Sequence, residues 1–173
     1  TGFLRPTGGT ASILGMDTWR DSHRLKQELG FLPDEPSLYE DMRGTDLLDY
    51  LTHLQKKKPL LRAKLCDELE LGQQDLARPI REFSRGMKQK LALIQALQHD
   101  PTFLVLDEPT EGLDPLMQQV FFHHLQDLQQ RGRTVFMSSH ILHDVERLCN
   151  RVGIIRQGTL IAVEEVEVLR HRS

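Results

Sequence analysis

Apolar residues are grouped along this chain in two ways, and the grouping predicts its elements. Short apolar runs at residues 29–32, 103–106 and 134–137, the second of them unbroken, predict strands, the last two of them buried. A run at 11–14 lies between the turn signals Gly8-Gly9 and Gly15 and predicts a strand between turns. Helical spacing takes over elsewhere. Thr45 is placed to cap a helix carrying Leu47, Leu48, Leu51 and Leu54 on one face. Residues 60–71 repeat the pattern through Leu61, Leu65 and Leu69, with Gly72 at the expected helix end. Met87, Leu91, Ile94 and Leu97 make a stripe on a third helix. Val120, Phe121, Leu125 and Leu128 mark another over 116–128, and 141–148 one more. Runs at 152–155 and 160–163 flank Gln157-Gly158, a tight hairpin signal, and 164–170 predict a last helix. From residue 102 onward strands alternate with helices, which predicts a parallel α/β sheet. The helix-only stretch from about Thr45 to Leu97 predicts an inserted subdomain.

Composition narrows the classes. The chain has 173 residues, enough for one domain with a sizeable core. Its 22 basic and 25 acidic residues leave a formal charge of −3, which excludes a general nucleic-acid or polybasic membrane binder. No apolar run approaches the ~20 residues that span a bilayer. Cys66 and Cys149 have no motif spacing, and no His/Cys pattern suggests zinc. Lys56-Lys57-Lys58, closed by Pro59, reads as a solvated loop.

Four short segments carry candidate chemistry. The run at 103–106 ends in Asp107-Glu108, and ligands of parallel sheets sit beyond the carboxyl ends of strands. Asp107 is placed to hold magnesium through water, and Glu108 to orient or deprotonate an attacking water. The same acids also fit a loop cap and a solvated charge. Gly112-Leu113-Asp114-Pro115 follows at once, and it also fits an ordinary helix start with Asp114 as cap. Phe83-Ser84-Arg85-Gly86-Met87 opens a helix. A hydroxyl, a glycine and unpaired amides there suit an anion, while Ser84 also fits a simple cap. His140 follows the run at 134–137 and can reach a phosphate oxygen or an attacking water, or serve as a loop histidine.

In combination these segments resemble the nucleotide-binding domain of ATP-binding cassette (ABC) transporters. Residues 83–87 are similar to the signature loop, with Arg85 and Met87 replacing its commoner glycine and glutamine. Phe-Ser-Arg-Gly-Met-Lys-Gln-Lys-Leu looks like the bacterial export-type variant. Residues 104–108 resemble the Walker B strand and catalytic glutamate, 112–115 the D-loop, and His140 the switch histidine. Asp34 falls where the family usually has a glutamine, and a carboxylate still suits magnesium or its waters. The resemblance runs from Thr1 to about Val163.

It implies a P-loop NTPase-like α/β fold: a mostly parallel sheet flanked by helices, with an inserted helical signature subdomain. The implied division is 1–35 and 98–163 as core, 36–97 as helical subdomain, and 164–173 as a tail, all within one partial domain. ATP and Mg2+ are the implied cofactors. Two such domains, identical or not, would dimerise head to tail and dock on a transmembrane permease at the inner face of the cell membrane; no nucleic acid is expected. Ser84, Arg85, Gly86 and Met87 would face the nucleotide of the second domain. Asp107, Asp34, Glu108 and His140 would serve the nucleotide of their own, and Asp114 would report across the interface. Residues 1–9 look like the segment after the P-loop helix, and no Gly-Lys dipeptide occurs anywhere. The expectation is a chain that starts after its N-terminal strand and Walker A motif and is inactive alone. Two other expectations stand beside it: a non-enzymatic module lending the signature motif to another ATPase, and a soluble ABC-type ATPase of DNA repair or translation.

Overall fold

A computed structural model describes residues 4–170, with backbone only at 169 and 170. The first three residues of the expected post-P-loop segment and residues 171–173 of the expected tail lie outside the described residues. The chain divides into two compact units, Thr1–Ser138 and Ser139–Ser173.

The first unit opens with a hairpin, β1 (Ser12–Ile13) against β2 (Met16–Asp17). Helix α1 (Ser22–Glu28) leads into β3 (Leu29–Leu32). Four helices follow: α2 (Gly44–Gln55), α3 (Arg62–Glu68), α4 (Gln73–Leu76) and, after a 3-10 turn, α5 (Arg85–Leu97). Then come β4 (Phe103–Asp107), α6 (Pro115–Gln130) and β5 (Thr134–Ser138). The three longer strands form one parallel sheet in the order β3-β4-β5, as the alternation predicts. Leu29 pairs with Phe103, and Asp107 with Ser138. The carboxyl ends of all three strands therefore come level, and their loops share one edge.

Apolar contact between α5 and β3 fixes the helix against this sheet. Leu91, Leu93, Ile94 and Leu97 are fully buried, as are Leu32 and Leu104. Gly30 makes the approach possible: a Cβ there would stand 2.4 Å from the Ala96 carbonyl oxygen and 2.5 Å from the Leu104 side chain. Arg62 knits the helical stretch to the end of α5. Its guanidinium pairs with Asp49 and donates to the Leu48 carbonyl at 2.8 Å, the Thr52 hydroxyl at 2.7 Å and the Gln98 side-chain oxygen at 2.8 Å.

The second unit holds α7 (Leu142–Leu148), β6 (Arg151–Arg156), β7 (Thr159–Glu165) and α8 (Val166–Arg170). β6 and β7 pair antiparallel across Gln157-Gly158. Both turn residues have positive φ, 50° and 76°, the type I′ geometry of a two-residue hairpin.

Several expectations are corrected. The helix expected over 60–71 is only α3, because Glu70 takes a left-handed φ of 53°. Gly72 does not end it; it is the N-cap of α4. Strand β5 is not buried: its burial alternates between half-buried and exposed, and Phe136 is 65% exposed. β4 buries Leu104 and Leu106 on one side, while Phe103 and Val105 are half-buried. Leu54 leaves the α2 stripe and is exposed, whereas Leu47 and Leu48 are buried. Lys57 is more than a solvated charge, since it pairs with Glu28 at 2.7 Å. Helices α1 and α4 and strand β2 have no counterpart in the hydrophobic pattern.

Candidate functional site

The carboxyl end of β4 places Asp107 exposed and Glu108 half-buried on the loop edge. Parallel register sets Ser138 beside Asp107. The Ser138 hydroxyl donates to Asp107 Oδ1 and accepts the Glu108 backbone N–H at 3.1 Å. Glu108 itself sits at φ 43°, a left-handed conformation that costs a branched or carboxylate residue energy unless its surroundings impose it. The loop beyond is gripped by two glutamines. Gln89 of α5 donates to the Pro109 carbonyl at 3.1 Å. Gln118 of α6 donates to the Thr110 and Leu113 carbonyls at 3.3 and 3.2 Å.

Asp34, just past β3, joins this group. Desolvation pushes its carboxyl above the ordinary value, and the negative charges of Glu111, Asp107, Glu35 and Glu108 push the same way. Acids that crowd like this repel one another, and a divalent cation with its waters would relieve the repulsion. Among the described residues no three such side chains converge as a ready-made metal cage.

The amino end of α5 approaches the same loop. Ser84 is its N-cap, and its oxygen accepts the Met87 N–H at 3.2 Å. Arg85 pairs with Glu111. Gly86 lies so close that a Cβ would stand 3.2 Å from the Gly112 carbonyl oxygen. Met87 is half-buried. A cleft of about 640 Å³ opens here, with Asp34, Glu35 and Glu111 facing Arg85 and Lys88. Asp114 caps α6, accepting the Leu116 and Met117 N–H groups at 3.1 and 3.0 Å. The first unit thus brings together Asp34, Ser84, Arg85, Gly86, Asp107, Glu108 and the loop that ends at Asp114. His140 belongs to the second unit, where it is exposed between β5 and α7.

Sequence reasoning missed Gln89, Glu111, Gln118 and Ser138. One signal was available for Gln89: a polar residue on the packed side of an otherwise apolar helix. Ser138 would have required the register of β4 against β5.

A family model described as "AAA domain, putative AbiEii toxin, Type IV TA system" matches residues 11–143. The Streptococcus pyogenes lantibiotic transport ATP-binding protein SrtF is 34% identical over 167 residues, 96% of this chain and 71% of that protein. The chain belongs to the ABC transporter ATP-binding family. An uncharacterized ABC transporter ATP-binding protein of Synechocystis sp. is 34% identical over 166 residues, 92% of this chain and 46% of that protein. The chain spans about half the length of the two cyanobacterial family members it matches. Among solved structures, an ATP-binding subunit of an ABC transporter superposes with a TM-score of 0.89 at 26% identity. That match covers 99% of this chain and 72% of the other. The ABC fold extends to this chain, and among the described residues no helix is long and apolar enough to cross a membrane.

Proposed function

We propose that these residues are part of the ATP-binding subunit of an ABC transporter and serve ATP hydrolysis that drives a membrane permease. The observation that carries this reading is the convergence of Asp107-Glu108 with the Ser84–Gly86 end of α5 on one loop edge. Glu108 takes the role of general base, orienting and deprotonating the attacking water. Asp107 and Asp34 hold Mg2+, chiefly through its waters, and the crowding of acids around Asp34 fits that donor set. Bound there, the ion supplies counter-charge to the phosphates.

Ser84 and Gly86 offer a hydroxyl and backbone amides to the γ-phosphate held by a second nucleotide-binding domain, identical or different, in a head-to-tail dimer. Arg85 and Met87 flank that contact. By the family resemblance His140 takes the role of the switch histidine, and Asp114 faces the dimer interface. The subunit sits on the inner face of the cell membrane through its permease. The 173 residues contain no Gly-Lys dipeptide, so they do not themselves supply the P-loop lysine and amide cradle. Alone they bind ATP weakly and do not turn it over.

The test is steady-state hydrolysis by the intact gene product. Wild type consumes ATP in the presence of Mg2+, and Glu108→Gln lowers kcat at least about 100-fold while ATP binding persists. Unchanged hydrolysis in Glu108→Gln, or none in the wild type, defeats the reading. Tight, Mg2+-dependent binding of a fluorescent ATP analogue by the 173-residue chain defeats its last part.

A further inference from the structure

Gln89 is out of place by composition. It stands on the packed side of α5, only 6% exposed, one turn past the Ser84 cap and one turn before Leu93. Its neighbours on that side, Ala92, Leu93 and Ala96, are all buried and apolar. A buried amide there must have a hydrogen-bonding reason, because leaving it unpaired would cost more than an apolar replacement.

The reason is the acidic loop. The Gln89 side chain donates to the carbonyl of Pro109, the residue directly after Glu108. Two more contacts bind the same helix end to the same loop: the Arg85–Glu111 ion pair, and the close packing of Gly86 on the Gly112 carbonyl. The two differ in kind from Gln89. Arg85 is 76% exposed at its side chain, where water and salt weaken an ion pair. Gly86 makes contact without a directed bond. Of these three contacts, the Gln89 bond is the buried, directional one, and it acts beside the left-handed turn at Glu108.

We propose that Gln89 is a positioning residue that ties the turn at Glu108 to the Ser84–Gly86 end of α5, so that any shift of that end is carried into the acidic loop of the same chain. In the proposed dimer, Ser84 and Gly86 touch one nucleotide while Glu108 of the same chain serves the other. The link therefore makes each site sensitive to occupancy of its neighbour. This last consequence rests on the proposed function; the link itself does not.

Gln89→Met keeps the length of the side chain and its helix preference but removes the donor. Hydrogen exchange is read on the intact gene product without nucleotide. The Glu111 and Leu113 amides, which bond to the Glu108 and Thr110 carbonyls, exchange about 3- to 10-fold faster in the variant. Amides of β4 do not change. In the intact gene product, kcat falls by a similar factor and the KM for ATP stays within about 2-fold. Gln89→Asn keeps an amide but is one methylene short; it repeats both effects should the methionine variant fold poorly. Unchanged loop exchange in a folded variant overturns the proposal, as does unchanged kcat in an active enzyme. Faster loop exchange in a protein whose wild type shows no hydrolysis leaves the Gln89 link standing and removes the function above.

Discussion

Strands β4 and β5 are neighbours in one sheet, equal in length and similar in apolar content, yet they live in different surroundings. β4 has a strand on each side, and Leu104 and Leu106 are almost wholly buried. β5 has one strand neighbour among the described residues, and Phe136 is 65% exposed. Position at the edge is not the whole cause, because β3 also has one strand neighbour among the described residues and is buried under α5. Apolar runs announce strands, but what lies over them decides burial. The difference extends to the strand ends. β4 ends in the acids Asp107 and Glu108, and β5 ends in Ser138, which holds both of them.

Core truncation sharpens the contrast most. Leu106→Ala destabilises the first unit by about 3 to 4 kcal/mol, measured by the urea midpoint at constant slope. A loss under about 1 kcal/mol would mean that β4 is no better packed than β5.

Next is Ser138→Ala. It removes the acceptor of the Glu108 N–H and the donor to Asp107, so kcat of the intact enzyme falls about 5- to 10-fold. Stability changes by less than about 1 kcal/mol, since the hydroxyl is exposed. Loss of fold without loss of rate would break the assignment.

Acid provides a third probe, acting on two buried histidines. His99 and His124 are buried, and burial lowers both imidazoles below their ordinary value of 6.5. Glu68 and Lys64 on α3, with Asp127 on α6 and Arg131 at its C-cap, set the field around His124. The folded chain keeps these rings neutral while the unfolded chain protonates them near 6.5. Stability is thus full above that pH and declines as pH falls through and below it. Thermal melts at pH 7.5 and 5.5 show the drop, and His124→Gln makes it smaller. Equal melting temperatures would refute it.

Phe136→Ser has the smallest expected effect, within about 0.5 kcal/mol on stability, with less self-association in light scattering. A loss comparable to Leu106→Ala would show that β5 is core after all.

Much of this was legible beforehand. The runs at 29–32 and 103–106 lie in β3 and β4 because short apolar runs of this composition have few alternatives to a sheet. The candidate acids and the Ser84 end of α5 were readable as local patterns. Residues whose role arises from tertiary placement were not. Gln118 and Ser138 look ordinary until α6 and β5 are set beside the loop. The 60–71 stretch misled because leucine spacing persists through Leu69 and Leu71, both buried, although the backbone has already turned at Glu70. Periodicity records which side chains are inside, not which backbone carries them.

Gly30 gives the sheet one more consequence. At about 1.5 Å per residue, α5 is close to 20 Å long. It rests on the backbone at Gly30 near one end and carries Gln89 and the Ser84 cap towards the other. A single hydrogen atom is therefore the fulcrum of a long arm. A methyl group there would lift one end of the arm and re-aim the other, so the smallest side chain in the sheet sets the alignment of chemistry it never touches.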